Sequence, residues 1–288
     1  MDPLQDALAA TTHTSGPQAK TAAPTVGIFD SGVGGFTVAR AILALRPDVN
    51  LVYFGDNLNM PYGGRKPEQL SRFARNSIEF LLQNGMDILA VGCNASNSVL
   101  GQGELKSFGV PVFDLVSSTI ETLRARPEPP TKLAIVATVA TINMHYWQRK
   151  LSDAFPDIQL GEAAAPEFVP LVEALEQSEP AKRVAVRKYL LPLVREGYSE
   201  VLHGCTHFPL LEDVMLEEAP EMNFLDPAVC LAQQLTGSLE PAKPDAGKGS
   251  LELFSSLPGE RFYAIAERAL GRPVREYTRM YVVNPHED

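Results

Sequence analysis

Two short stretches share one local pattern, and that repetition constrains the chain more than any other feature. The first is Asp87-Ile88-Leu89-Ala90-Val91-Gly92-Cys93-Asn94, the second Glu200-Val201-Leu202-His203-Gly204-Cys205-Thr206-His207. Each is a mostly apolar run, rich in Val, Ile and Leu, that ends in Gly-Cys and a polar residue. A run this short reads as a buried strand. The turn-forming residues after it put each cysteine where strand gives way to loop. In an open α/β sheet that carboxyl edge is where ligands bind. Two thiols brought to such edges from two halves of a chain can face each other across one substrate.

The flanking sequence alternates strand and helix. Strands are predicted over 25–30, 51–56, 87–93 and 110–115, with helices over 36–45 and 67–84. Pro67 suits a first helical turn and Gly85 a helix end; Leu70, Phe73, Ile78 and Leu81 share one face. The Pro-rich connection 124–130 is the candidate domain crossing. The pattern then restarts, with strands over 132–138, 159–165, the Cys205 run, 223–226 and 251–257. Helices are expected over 144–154, 181–196, around Cys230 to Leu239, and 260–270. Such alternation implies mainly parallel sheet with right-handed crossovers, here in two similar α/β units.

A chain of 288 residues suits about two domains. Its net charge of -10 argues against a nucleic-acid partner. No apolar run approaches the ~20 residues of a membrane helix. Residues 1–24 lack a secretory signal and read as a disordered leader. The three cysteines are odd in number and form no CxxC, so neither disulfides nor a metal site is expected, and a reducing, cytoplasmic compartment is.

Three features bear on chemistry. Asp30-Ser31-Gly32-Val33-Gly34-Gly35 follows a strand and opens a helix, which invites a phosphate site, but GxGxxG and Gly-Lys-Ser/Thr spacings are absent. A tight turn and a substrate loop remain, and Asp30 at the strand end favours the latter. Cys230, within a predicted helix, reads as an inert core residue. Cys93 and Cys205 are each expected just before a helix start, where the helix's positive end lowers a thiol's pKa. His207 can pair with Cys205. A single-cysteine nucleophile is an alternative, but leaves the second Gly-Cys unexplained. Two thiols suit inversion at a carbon bearing an acidic hydrogen: one removes the proton, the other returns one on the opposite face. Backbone N–H groups, Ser31, Asn94 and Thr206 are the donors available to the carbanion.

Five motifs in register carry a family resemblance: Gly27-Ile-Phe-Asp-Ser-Gly-Val-Gly-Gly35, Gly55-Asp56 with Pro61-Tyr62-Gly63, Cys93-Asn94, Val169-Pro-Leu-Val-Glu173, and Gly204-Cys-Thr-His-Phe-Pro-Leu-Leu211. Together, over about 25–271, they resemble the glutamate racemases of the aspartate/glutamate racemase family. The resemblance implies two pseudo-symmetric α/β domains, with the active site in the cleft between them and the last segment returning to the first domain. The domains are expected at 25–120 plus 229–288 and at 121–228. It further implies cofactor-independent interconversion of L- and D-glutamate, supplying D-glutamate for peptidoglycan. By the same resemblance Cys93 and Cys205 are the two bases, and Asp30, Glu173 and His207 assist proton transfer or orient the thiols. Asp30, Ser31, Pro61, Tyr62, Gly63, Asn94, Ala95, Thr206 and His207 line the substrate site with the two cysteines.

The sequence departs from that family at two places. Ala95 stands where a threonine is usual, with Ser96 or Asn97 as its replacement, and Asn57 stands for another threonine. These changes bear on affinity and on strict preference for glutamate. The rival readings are an isomerase of the same fold for aspartate or another small carboxylate, and a non-catalytic binding protein. A small-molecule substrate, no nucleic acid, no membrane and an optional homodimer complete the expectations.

Overall fold

The computed structural model describes residues 23–60, 62, 65–100, 102–243, 246–257, 259–274 and 278–282. The expected leader lies outside these residues apart from Ala23 and Pro24, and Pro61 and Gly63 lie outside them too.

The first half of the chain runs β1 (Thr25–Asp30), α1 (Phe36–Leu45), β2 (Asn50–Gly55), α2 (Pro67–Gln83), β3 (Ile88–Val91), α3 (Asn94–Val99), α4 (Gln102–Ser107), β4 (Val112–Asp114) and α5 (Leu115–Arg124). The second runs β5 (Lys132–Ala137), α6 (Val139–Met144), α7 (Tyr146–Ala154), β6 (Gln159–Ala164), α8 (Phe168–Glu173), α9 (Glu179–Arg195), β7 (Glu200–His203), α10 (Glu212–Glu218) and β8 (Asn223–Leu225). The chain closes with α11 (Pro227–Gly237), β9 (Leu251–Ser255), α12 (Glu260–Leu270) and β10 (Thr278–Val282).

These strands form a six-stranded sheet in the order β10-β9-β2-β1-β3-β4 and a four-stranded sheet in the order β6-β5-β7-β8. Every pairing is parallel. The order β2-β1-β3-β4 recurs as β6-β5-β7-β8, so β3 and β7, the strands that lead to Cys93 and Cys205, hold equivalent places. In a sheet of this order the ligand crevice opens where the winding reverses, between the first and third strands.

Parallel sheets are covered on both faces, which is why their strands are apolar throughout. In β1, Val26 and Ile28 pack into the layer built by α1, α11 and α12, while Phe29 packs into the layer built by α2. Leu70, Phe73, Ile78 and Leu81 of α2 are all buried, as their shared face predicts. Each such side chain contributes about 1.5–3 kcal/mol of burial free energy. The second sheet has its own two layers, and Leu210 packs against both its core and that of the first sheet.

Two local expectations are corrected. The helix expected over 144–154 starts earlier and is broken: Thr138 Oγ1 caps α6 by accepting the Thr141 N–H at 3.3 Å, and His145, at φ 51°, separates α6 from α7. Beyond α12 the chain adds β10, paired with β9, where residue patterning gave no strand.

Candidate active site

β1 ends in Asp30, whose Oδ1 accepts the Gly32 N–H at 2.7 Å. The loop that follows is tight because it meets the other half of the molecule. A Cβ on Gly34 would fall 2.3 Å from Thr206 Oγ1 and 2.7 Å from His207 Nδ1. A Cβ on Gly35 would fall 2.7 Å from Asp30 Cβ. The glycines are thus explained by close approach of the chain rather than by a phosphate cradle. Thr37 Oγ1, in the first turn of α1, donates to Thr206 O at 3.2 Å.

Cys93 directly precedes α3, as expected. Its thiol donates to Ser31 Oγ at 3.4 Å. Burial pushes the Cys93 thiol up and Asp30 adds to this, against the Ser31 hydroxyl and Ser96. Burial likewise raises Asp30, against the His207 charge, the Gly32 and Gly35 N–H groups and Thr206. Asn94 Oδ1 accepts the Trp147 indole N–H at 3.0 Å. An indole nitrogen only donates, so this contact fixes which way the Asn94 amide points. Its Nδ2 is buried without a partner, and such a donor is costly unless something accepts from it.

Cys205 differs from expectation. It does not precede an α-helix directly: a 3₁₀ turn over Phe208–Leu211 intervenes, and α10 starts at Glu212. The helix-end argument fails here, and a side-chain relay stands in its place. Cys205 Sγ lies 3.7 Å from His207 Nδ1, and His207 Nε2 lies 2.9 Å from Glu173 Oε1. Glu173 Oε2 accepts from Arg261. Burial opposes charge on His207, but Cys205 and Glu173 outweigh it and lift the imidazole's pKa to about 10. Burial also raises Glu173, but His207 and Arg261 outweigh it and hold the carboxyl below its ordinary range.

Besides the Thr37, Trp147 and Arg261 contacts, the two halves are joined at the site by Thr206 Oγ1, which donates to Asp30 Oδ2 at 3.4 Å. Asp30, Ser31 and Cys93 on one side therefore meet Cys205, Thr206 and His207 on the other. Cys93 is 4% and Cys205 9% exposed, so the pair is nearly sealed. Tyr62 gives its hydroxyl to Asp56 Oδ2 at 2.7 Å and packs against Phe73; burial and Asp56 hold that phenol protonated. Ala95 packs against the apolar layer over α2. Asn97 Nδ2 is spent on Cys93 O and Val91 O at 2.7 and 3.2 Å, whereas the buried Ser96 hydroxyl has no oxygen or nitrogen partner. Asn57 turns to Ser255 Oγ at 2.7 Å. His203 pairs with Glu212 at 3.1 Å, a structural place, and Cys230 is buried in α11. Neither Trp147 nor Arg261 falls in a sequence motif; that Trp147 is the sole tryptophan is the one signal the sequence carries for it.

Known proteins with this sequence pattern and fold are consistent with one another. The chain matches the Asp/Glu/Hydantoin racemase family over residues 37–235. A glutamate racemase of Neisseria meningitidis is 33% identical over 261 residues, covering 87% of this chain and 94% of its own. One from Desulforudis audaxviator is 34% identical over 266 residues, covering 88% and 97%. In three dimensions, a glutamate racemase isoform of Bacillus anthracis superposes with a TM-score of 0.79 at 27% identity, over 91% of this chain and 97% of its own. The chain belongs to the Asp/Glu/hydantoin racemase family.

Proposed function

We propose that this protein interconverts L- and D-glutamate by a two-base reaction in which Cys93 and Cys205 act on opposite faces of Cα. One observation carries the reading. Equivalent strands of a strand order shared by the two sheets each lead to a cysteine, and the β1 loop bridges them: Ser31 accepts from Cys93, and Asp30 accepts from Thr206, the neighbour of Cys205. In one direction a Cys93 thiolate takes the Cα proton while the Cys205 thiol donates to the other face; in the other direction the roles exchange. His207 and Glu173 support proton movement at Cys205, and Asp30 is placed to do so at Cys93. Asn94 Nδ2, the Ser96 hydroxyl and Ser31 are donors suited to the substrate's carboxylates. Tyr62, Thr206 and the neighbouring Pro61, Gly63 and Ala95 complete the lining.

The names of the relatives favour glutamate over aspartate as substrate. The reading also includes D-glutamate supply for peptidoglycan, residence in the cytoplasm and division of the chain into domains at 25–120 plus 229–288 and 121–228. No helix among the described residues is long and apolar enough to cross a membrane. Circular dichroism with L-glutamate, D-glutamate and each aspartate enantiomer tests the reading. Loss of optical activity with both glutamates, and deuterium at Cα of the product formed in D₂O, is expected. An unchanged signal with glutamate would reject it.

A further inference from the structure

We propose that Arg261 is a positioning residue for the Cys205 half of the site, reaching across the domain boundary to lock the Glu173 carboxylate where it holds His207 against Cys205. This deepens the two-thiol reading and rests on it.

Glu173 is the last residue of α8, a helix of six residues. A helix this short has little rigidity of its own, so the precision of its terminal side chain must come from neighbours. Those neighbours lie on α12, in the segment that returns to the first sheet. Arg261 takes Glu173 Oε2, while Oε1 faces His207. Two helical turns further along the same face, Arg268 Nη1 donates to Val172 O at 2.8 Å and Nη2 reaches Ala174 O at 3.5 Å. One face of α12 therefore grips the carboxylate of Glu173 and the backbone on either side of it.

The charges around Glu173 are few. The loop after β7 brings His207 and Cys205, and α12 brings Arg261 and Arg268. On α9, Lys188 is committed to Glu167 at 2.8 Å. Asp30 acts on His207 from the first sheet. The Arg261 side chain is 57% exposed whereas that of Glu173 is 5% exposed. An ion pair so open to water adds little to stability, and its value lies in geometry. Without the guanidinium, the carboxylate keeps one oxygen unanswered and is free to turn away from the imidazole.

The test compares Arg261→Gln, Arg261→Lys, Glu173→Gln and the Arg261→Gln/Glu173→Gln double variant. Arg261→Gln is expected to lower kcat roughly tenfold, short of the ~100-fold that a 1 Å misplacement can cost, with KM little changed. The acid limb of its pH–rate profile moves to higher pH, because Glu173 loses a neighbouring cation. Arg261→Lys restores most of both. In the Glu173→Gln background, Arg261→Gln has less than about a twofold further effect, the sign that it acts through Glu173. The His207 ring resonances, followed by NMR without substrate, shift in Arg261→Gln. An equal loss in both backgrounds, or an unmoved acid limb with unmoved His207 resonances, overturns the proposal. If Cys93→Ser and Cys205→Ser both racemise normally, the two-thiol reading fails instead, and the His207 resonances still decide whether Arg261 positions Glu173.

Discussion

Cys93 and Cys205 follow equivalent strands, yet their surroundings are opposite. Beside Cys93 stand a hydroxyl and the Asp30 carboxyl, and burial with that acid holds the thiol protonated. Beside Cys205 stands an imidazole backed by a carboxylate, which in turn is backed by a guanidinium. β1 ends in Asp30, whereas β5, its counterpart, ends in Ala137. The repeated topology thus supplies matched positions for two sulfurs, while the neighbours at each are not equivalent. In the two-base reading proposed above, the two sulfurs exchange roles with direction, yet an imidazole stands beside only one of them.

The comparison breaks first at the sulfurs. Cys93→Ser and Cys205→Ser are each expected to lower racemisation by roughly 10⁴-fold, the upper range for acid–base groups. Each should still exchange Cα hydrogen in D₂O with one enantiomer only, a different one for each variant. Proton NMR of both enantiomers checks this, and equal exchange of both by either variant would erase the distinction. A smaller effect belongs to the Cys93 side alone. Trp147→Phe removes the donor that orients Asn94 and should raise KM about fivefold, close to the ~1 kcal/mol of one hydrogen bond, with kcat less affected. Steady-state kinetics in both directions measures it. The smallest effect concerns stability on the Cys205 side. The His207 pKa rises from 6.5 to about 10 on folding, so its charge stabilises the fold fully below 6.5, progressively less above, and not at all beyond about 10. The Tm advantage of the native protein over His207→Gln should therefore be larger at pH 6 than at pH 10.5; a gap that widens with pH would contradict the relay.

Much of the framework is legible in residue patterning. Short apolar runs mark β1, β2, β3, β5 and β7 because a strand covered on both faces must be apolar along its length. The 3.6-residue period of Leu70, Phe73 and Leu81 marks α2. The junction around His145 was not legible, since one residue at positive φ leaves no trace in composition. Nor was β10, whose place at the sheet edge depends on the partner strand β9. At the candidate site, Cys93, Cys205, Asp30 and His207 are singled out by their sequence neighbours, whereas only family resemblance singles out Glu173: in isolation it is a helix acid like any other. Trp147 and Arg261 make their hydrogen bonds across the boundary between the two halves, and sequence separation conceals such contacts.

The bare backbone at Gly34 has one more consequence. A β-carbon there would fall 2.3 Å from Thr206 Oγ1 and 2.7 Å from His207 Nδ1, so no larger residue fits without moving that loop. Gly34→Ala is therefore expected to act as a wedge that stretches the Thr206–Asp30 hydrogen bond and pries the two halves apart.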